Sequence, residues 1–284
     1  MFLYVNQFDL EYINGSSLLY SLPFIFSFTI LPFNSKLLNI PIMGQKKTFL
    51  IDIGNSFCEY CELTKGGSFI HRQSIPTNSL TQRYITDTFK DSNCYISSVV
   101  PDMDRLFKHL ESMNSYFVHH NLIKHISINL SSPNELGADR LMNALGAFNE
   151  YGGPTLIVDS GTAITFCYIN KEGVYEGGSI FPGMRLCSWA LNKQTAKLPL
   201  VWVEKRDELY GKNTKNAIEI GLYQSFFGLI EHMIHQYRSQ YKDIKVIGTG
   251  KGLSIFKDRL SLDKFDHELI FHGLKQFSAG YQSD

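Results

Sequence analysis

Gly137-Ala138-Asp139-Arg140, followed by Asp159-Ser160-Gly161-Thr162, is the stretch on which the fold reading turns. The first tetrapeptide puts a carboxylate beside a guanidinium where a helix begins. The second puts a carboxylate and a hydroxyl on a glycine turn leaving an apolar strand, residues 155–158. Between them, Leu141, Ala144, Leu145 and Phe148 recur at helical spacing, so one helix over 141–151 ties the two polar motifs together. Gly152-Gly153-Pro154 breaks that helix. A carboxylate at a helix start ordinarily serves only as a cap. What lifts this pattern above a cap is an earlier segment that repeats its strand–Asp–Gly half.

That segment is the apolar run 48–51, which ends in Asp52-Ile53-Gly54-Asn55-Ser56. Strands are expected at 58–63 and 68–75 around a Lys65-Gly66-Gly67 turn, then a helix near 80–89. Beyond residue 155 the order restarts. Strands at 155–161, 163–169 and 174–181 are followed by a helix from Pro182-Gly183 toward Ala196. Strand, Asp-x-Gly turn, strand, turn, strand, helix thus occurs twice. The expected fold is α/β, with two duplicated domains, residues 43–152 and 153–284, facing each other across a central cleft.

The remaining elements are more ordinary. A strand at 94–100 stops at Pro101, and a helix is expected at 102–113. A strand at 116–120 would turn His119 and His120 to opposite faces, as half-buried histidines rather than a metal pair. One or two long helices span 212–241. A buried strand at 245–247 ends in Gly248-Thr249-Gly250-Lys251-Gly252, a loop that suits a nucleotide because glycines let backbone N–H groups reach phosphate or ribose. Residues 268–277 alternate poorly and yield no assignment.

Composition narrows the class. The 284 residues are 44% hydrophobic, enough for one large or two small packed domains. Zero net charge without a basic tract argues against nucleic acid as the main partner. Five cysteines without framework spacing suit a reducing compartment, so a cytoplasmic location is expected. Cys58 and Cys61 form a lone C-x-x-C and read as packing residues, since zinc would need two more ligands. Residues 1–42 differ from the rest. Their apolar run, 18–33, is interrupted by Pro23 and Pro32 and is short for a membrane helix. A signal peptide would carry positive charge before its apolar core, whereas Asp9 and Glu11 precede this one. The expectation is an extension outside the fold, with Met43 as the functional start and no membrane partner; the alternative is a membrane or partner anchor.

Two Asp-x-Gly turns on facing domains suit a polyphosphate and its metal. Carboxylates hold Mg²⁺ directly or through water, and the turn amides with the hydroxyls and amide of Ser56, Thr162 and Asn55 hold phosphate oxygens. Either motif alone would read as a plain turn; two of them with a late glycine loop favour the nucleotide.

Residues 43–284 resemble the type III pantothenate kinases of the actin/Hsp70/sugar-kinase-like superfamily. The matching segments are Asp52-Ile53-Gly54-Asn55-Ser56, Ser97-Ser98-Val99-Val100-Pro101, Gly137-Ala138-Asp139-Arg140 and Asp159-Ser160-Gly161-Thr162-Ala163. They continue with Gly177-Gly178-Ser179-Ile180-Phe181-Pro182-Gly183, Thr195-Ala196-Lys197-Leu198-Pro199, Gly211-Lys212-Asn213-Thr214 and Gly248-Thr249-Gly250. The resemblance implies two RNase H-like domains of the actin-like kinase fold, and ATP-dependent phosphorylation of pantothenate to 4'-phosphopantothenate, the first step toward coenzyme A. It implies that Asp52, Ile53, Gly54, Asn55, Ser56, Phe57, Cys58 and Glu59 hold the triphosphate and that Thr162 touches ATP. It also implies that Gly137, Ala138, Asp139 and Arg140 bind pantothenate, with Asp139 as general base. Thr214 then contacts substrate from the partner of a homodimer, and Asp159 binds a monovalent cation, K⁺ or NH₄⁺, beside Mg²⁺. The chain departs from the family pattern at Ser56, often Thr, and at Glu59, where some members are basic. It departs again at Leu130, often Tyr, and at Lys251, usually Gly. These departures bear on substrate affinity and nucleotide preference. The same fold also supports two other readings, a kinase of another small alcohol and a non-catalytic nucleotide-binding relative.

Overall fold

A computed structural model describes residues 46–281; the expected extension 1–42, with its apolar run, and the start at Met43 lie outside the described residues. The first sheet is built from β1 (Lys47–Ile53), β2 (Phe57–Leu63) and β3 (Phe69–Pro76) as an antiparallel meander. After α1 (Gln82–Phe89), β4 (Ser92–Ser98) returns parallel to β1. After α2 (Pro101–Lys108), β5 (Asn114–Phe117) joins parallel to β4, so the strand order is β3-β2-β1-β4-β5.

Next come the short β6 (Ser127–Ile128), α3 (Ala138–Tyr151), β7 (Thr155–Ser160), β8 (Ala163–Ile169) and β9 (Val174–Pro182). These are followed by α4 (Met184–Gln194), α5 (Thr214–Gln240), β10 (Lys245–Thr249), β11 (Lys264–Phe265) and α6 (Leu269–Tyr281). The second sheet runs β11-β10-β7-β8-β9-β6. Its first five positions repeat the first sheet: an antiparallel meander β7-β8-β9, then β10 and β11 added parallel on the other side of β7. The duplication expected from two Asp-x-Gly turns is therefore a duplication of topology, strand for strand.

Alternating burial decides how the sheets stack. Phe49, Ile51 and Ile53 of β1 point into a cluster with Phe89 of α1 and Phe107 of α2. Leu50 on the opposite face joins a central core with Ile157, Ile247, Leu145 of α3 and Phe271 and Leu274 of α6. Leu156 and Val158 point outward against Tyr223, Phe226 and Ile230 of α5. Helices α3 and α6 thus fill the space between the two sheets. They cross closely: a Cβ on Gly146 would sit 2.2 Å from the Leu269 carbonyl oxygen, and one on Gly273 would sit 2.0 Å from that of Met142.

Several expectations are corrected. Helix α2 ends at Lys108 rather than 113, because the chain turns to bring Met113 into the core and start β5. Strand β4 stops at Ser98; the Val99 N–H leaves the ladder and donates to the Ile53 carbonyl. Residues 116–120 do not form one strand, since β5 ends at Phe117, and the rings of His119 and His120 lie with centres 4.4 Å apart, tilted by 40°, instead of facing opposite ways. The unassigned C-terminal stretch is α6, whose buried residues include Leu269, Phe271, Leu274 and Phe277. A helix sandwiched between two layers loses the one-sided pattern that would announce it.

Candidate active site

The two Asp-x-Gly turns occupy equivalent places. Asp52 is the penultimate residue of β1 and Asp159 the penultimate residue of β7. Each has a hydroxyl residue beside it on the next parallel strand, Ser97 on β4 and Thr249 on β10. Ser97 Oγ donates to Asp52 Oδ1 at 2.9 Å. The turns that follow meet, with Ser56 Oγ and Thr162 Oγ1 3.0 Å apart. In the first turn the Gly54 N–H donates to the Phe57 carbonyl, and Thr77 Oγ1 donates to the Gly54 carbonyl, which leaves Asn55 and Ser56 exposed at the tip.

Gly137 is the N-cap of α3, and Asp139 lies in the first turn. Asp139 Oδ1 accepts from the Arg140 N–H at 2.7 Å. One turn further along α3, Asn143 Nδ2 donates to Asp159 Oδ2 at 2.9 Å. Helix α3 therefore carries Asp139 toward Asp52 and reaches Asp159 with the same face.

The electrostatics follow from this convergence. Burial pushes the Asp52 carboxyl well above the usual range, and the charges of Asp139, Asp159 and Glu59 add to it, against the Ser97 hydrogen bond. Burial and the Asp139 charge push Asp159 up to about 7, against the Asn143 hydrogen bond. Burial likewise raises Asp139, opposed by the Arg140 N–H and guanidinium. Three carboxylates that each resist ionisation form a site that favours a bound cation. A further sign is Asn143 Oδ1, which is buried and has no hydrogen-bond partner among the described residues. Among those residues, no group of three or more His, Cys, Asp or Glu side chains lies close enough to hold a metal unaided. A metal here would complete its shell with substrate phosphates and water.

The remaining residues singled out by sequence fall into distinct places. Ile53 and Cys58 are fully buried in the first-sheet core, so only their main chain borders the turn, and Phe57 is exposed. Cys58 and Cys61 point to opposite faces of β2, into separate clusters. Glu59 lies directly across the ladder from Asp52 and is held by Lys251 Nζ at 2.7 Å and Arg72 Nη2 at 3.0 Å. Leu130 packs against the central core. Gly250, at φ 84°, lies against β7; a Cβ there would be 2.4 Å from Asp159 Oδ1 and 2.6 Å from the Ser160 carbonyl. The late glycine loop is thereby brought to the Asp159 turn. Thr214 opens α5 and is exposed. Ser97 stands in a matching segment of the sequence without a role, and Asn143, Cys167 and Tyr175 escaped the sequence reading. Asn143 alone left a signal, four residues after Asp139 on one helix face; the others arrive through strand pairing.

Two sheets of one topology, each with an aspartate as the penultimate residue of its first strand, place the chain in the class of actin-like α/β kinases. The chain belongs to the type III pantothenate kinase family, whose model matches residues 48–236. It is 33% identical over 242 residues to the type III pantothenate kinase of Fervidobacterium nodosum, covering 80% of this chain and 95% of the relative. It is 37% identical over 190 residues to that of Phenylobacterium zucineum, covering 64% of this chain and 73% of the relative. Two solved structures share the fold. A putative 2-dehydro-3-deoxygalactonokinase from Sinorhizobium meliloti superposes with a TM-score of 0.58 at 12% identity, covering 83% of this chain and 96% of that one. A conserved putative Baf family transcriptional activator from Campylobacter jejuni gives 0.54 at 18% identity, covering 83% and 100%. The chain is accordingly an ATP-using pantothenate kinase of coenzyme A biosynthesis.

Proposed function

We propose that phosphoryl transfer to the primary hydroxyl of pantothenate takes place between the two Asp-x-Gly turns, with Asp139 as general base. The observation that carries this reading is the convergence of Asp52, Asp139 and Asp159 from two sheets and one helix, each raised first by burial, with the Asp139 charge adding to the shift of the other two. A primary alcohol attacks phosphorus only as its proton leaves, and a positioned carboxylate with a raised pKa accepts it better than an ordinary one. The main-chain amides of residues 52–59 and the hydroxyls of Ser56 and Thr162 hold the triphosphate. Gly137, Ala138 and Arg140 hold pantothenate, with the guanidinium on its carboxylate. The residues between 43 and 152 and those between 153 and 284 act as the two lobes. Helix α6 links them, since it packs against β1 and β4 of the first sheet while lying C-terminal to the second.

The donor set fits hard cations: carboxylates, a hydroxyl and the unpartnered Asn143 Oδ1 are all oxygens. Asp52 would hold Mg²⁺ through water and phosphate, and Asp159 with Asn143 would hold K⁺ or NH₄⁺. Such ions neutralise charge on the transferring group, which is most of what this reaction asks of a protein beyond alignment.

The active form is a homodimer in the cytoplasm, with Thr214 of each subunit reaching the other's substrate. Large apolar side chains stand exposed on one stretch, Ile180, Trp189, Leu200, Trp202, Leu209 and Tyr210, and single-copy proteins rarely leave such a surface uncovered. No helix among the described residues is long and apolar enough to cross a membrane.

The deciding experiment is Asp139→Asn, with melting temperature, ATP affinity and turnover measured on one preparation. The expected result is unchanged ATP affinity and turnover reduced about a hundredfold or more. If Asp139 merely caps α3, turnover survives and stability drops by about 1 kcal/mol.

A further inference from the structure

Arg140 is half-buried, and its guanidinium has its direction set by two neighbours. Nε donates to Cys167 Sγ at 3.4 Å, and Nη2 donates to Tyr175 Oη at 2.7 Å. The Tyr175 hydroxyl in turn donates to Cys167 Sγ at 3.2 Å. The three side chains close a ring of hydrogen bonds. Tyr175 and Cys167 are 0% and 1% exposed and sit on the paired strands β9 and β8, so neither has room to turn away.

A guanidinium has five N–H groups, and a carboxylate binds it best through two parallel ones. Two parallel pairs exist, the side-on pair of Nε with Nη2 and the end-on pair of Nη1 with Nη2. The Cys167 sulfur occupies Nε, which removes the side-on pair. Tyr175 uses one of the two hydrogens on Nη2, leaving the other for the end-on pair. We infer that Tyr175 and Cys167 are positioning residues that hold Arg140 to receive the pantothenate carboxylate end-on, and so set the preference of this enzyme for the acid over neutral analogues. This rests on the reading that Arg140 takes the substrate carboxylate, while Tyr175 and Cys167 lie outside the matching segments quoted above.

A purely structural role for the ring predicts a different outcome. Removing the Tyr175 hydroxyl would then lower the melting temperature and leave discrimination between substrates alone. The test is Tyr175→Phe, assayed with pantothenate and with the analogue whose carboxylate is reduced to an alcohol. The KM for pantothenate rises about tenfold, the scale of one lost hydrogen bond to a charged group, with kcat within about twofold. The KM for the alcohol analogue and for ATP stays put, so the acid-to-alcohol preference falls about tenfold as well. Cys167→Ala shifts the same ratio in the same direction by less, and decides the matter alone if Tyr175→Phe does not fold. An unchanged ratio in folded Tyr175→Phe or Cys167→Ala overturns the inference. Arg140→Lys separates the two levels. If it collapses the ratio while the other variants do not, only the positioning role fails; if it too leaves the ratio unchanged, Arg140 does not bind the carboxylate at all.

Discussion

Asp159 carries two competing demands: it is enclosed within reach of the Asp139 charge, yet the exposed turn at Gly161 and Thr162 follows directly after Ser160. Its carboxyl is pushed up to about 7 by burial first and the Asp139 charge second. An acid that holds its proton more tightly when folded stabilises the fold below its unfolded pKa. That contribution is lost as pH rises through the folded value, here near neutrality. Asp52 and Asp139 are raised too, so they act with the same sign. The ligand-free protein is therefore expected to melt at a lower temperature at about pH 8 than at about pH 6, and Asp159→Asn to flatten that difference. The comparison with the variant, not the raw slope, is the measurement, because it isolates the one carboxyl that differs. Added K⁺ should recover the melting temperature at the higher pH and do little at the lower, because a cation favours the charged form. A bulky organic cation that matches K⁺ in this assay, or a slope that survives in Asp159→Asn, would remove Asp159 from the cation site.

At the scale of elements, the two sheets are tied near the Asp52 and Asp159 turns by more than packing. Glu59 on β2 meets Lys251, in the loop after β10, and Lys251 Nζ also donates to Ser74 Oγ at 2.6 Å. The ammonium lies 4.9 Å from the centre of the Phe57 ring. Arg72 on β3 adds a bond to the His267 carbonyl at 2.9 Å, just ahead of α6. Burial raises the Glu59 carboxyl, but its hydrogen bonds and charge contacts with Lys251 and Arg72 outweigh that, leaving it below the usual range. The pair is partly exposed, Lys251 at 62% of its side chain, so its worth is modest. A double-mutant cycle of Glu59→Gln with Lys251→Met should return a coupling of about 0.5–1 kcal/mol, shrinking as salt is raised. A coupling indistinguishable from zero at low salt would mean that the lobes are held by α3 and α6 alone. Both partners were visible in the sequence as departures from a family pattern. That they answer each other from the two sheets was not, because 192 residues of folding separate their positions.

At the scale of the whole molecule, the exposed apolar stretch is what a single copy leaves unexplained. Ser188 Oγ donates to the Val201 carbonyl and accepts the Val201 N–H, which pins the loop before α5 to α4. Glu219, buried at the base of that loop, pairs with Arg206 and Lys215. The loop is thus fixed with Trp202 63% exposed and Leu209 85% exposed. Trp202→Glu should leave the fold of one copy intact, since little of the ring is buried, yet halve the mass seen by sedimentation. If Thr214 serves the partner's substrate, the same variant loses pantothenate affinity along with the dimer. A Trp202→Glu protein that sediments as wild type would remove this stretch as support for the proposed dimer.

What the sequence by itself determined is the chemistry that neighbours along the chain can write. The Asp-x-Gly turns at Asp52 and Asp159, the Gly137 cap before Asp139, and the glycine loop at Gly248 are local signals, each spelled by three to five adjacent residues. Their repetition announced the repeated strand topology of the two sheets. Only the tertiary structure decided which side chains complete the site. Ser97 reaches Asp52 across 45 residues, Ser56 reaches Thr162 across 106, and Lys251 reaches Ser74 across 177. These contacts depend on the order in which strands pair and on how closely α3 and α6 let the sheets approach. That order is set by burying both faces of both sheets at once, an energy summed over the whole core and written in no single stretch.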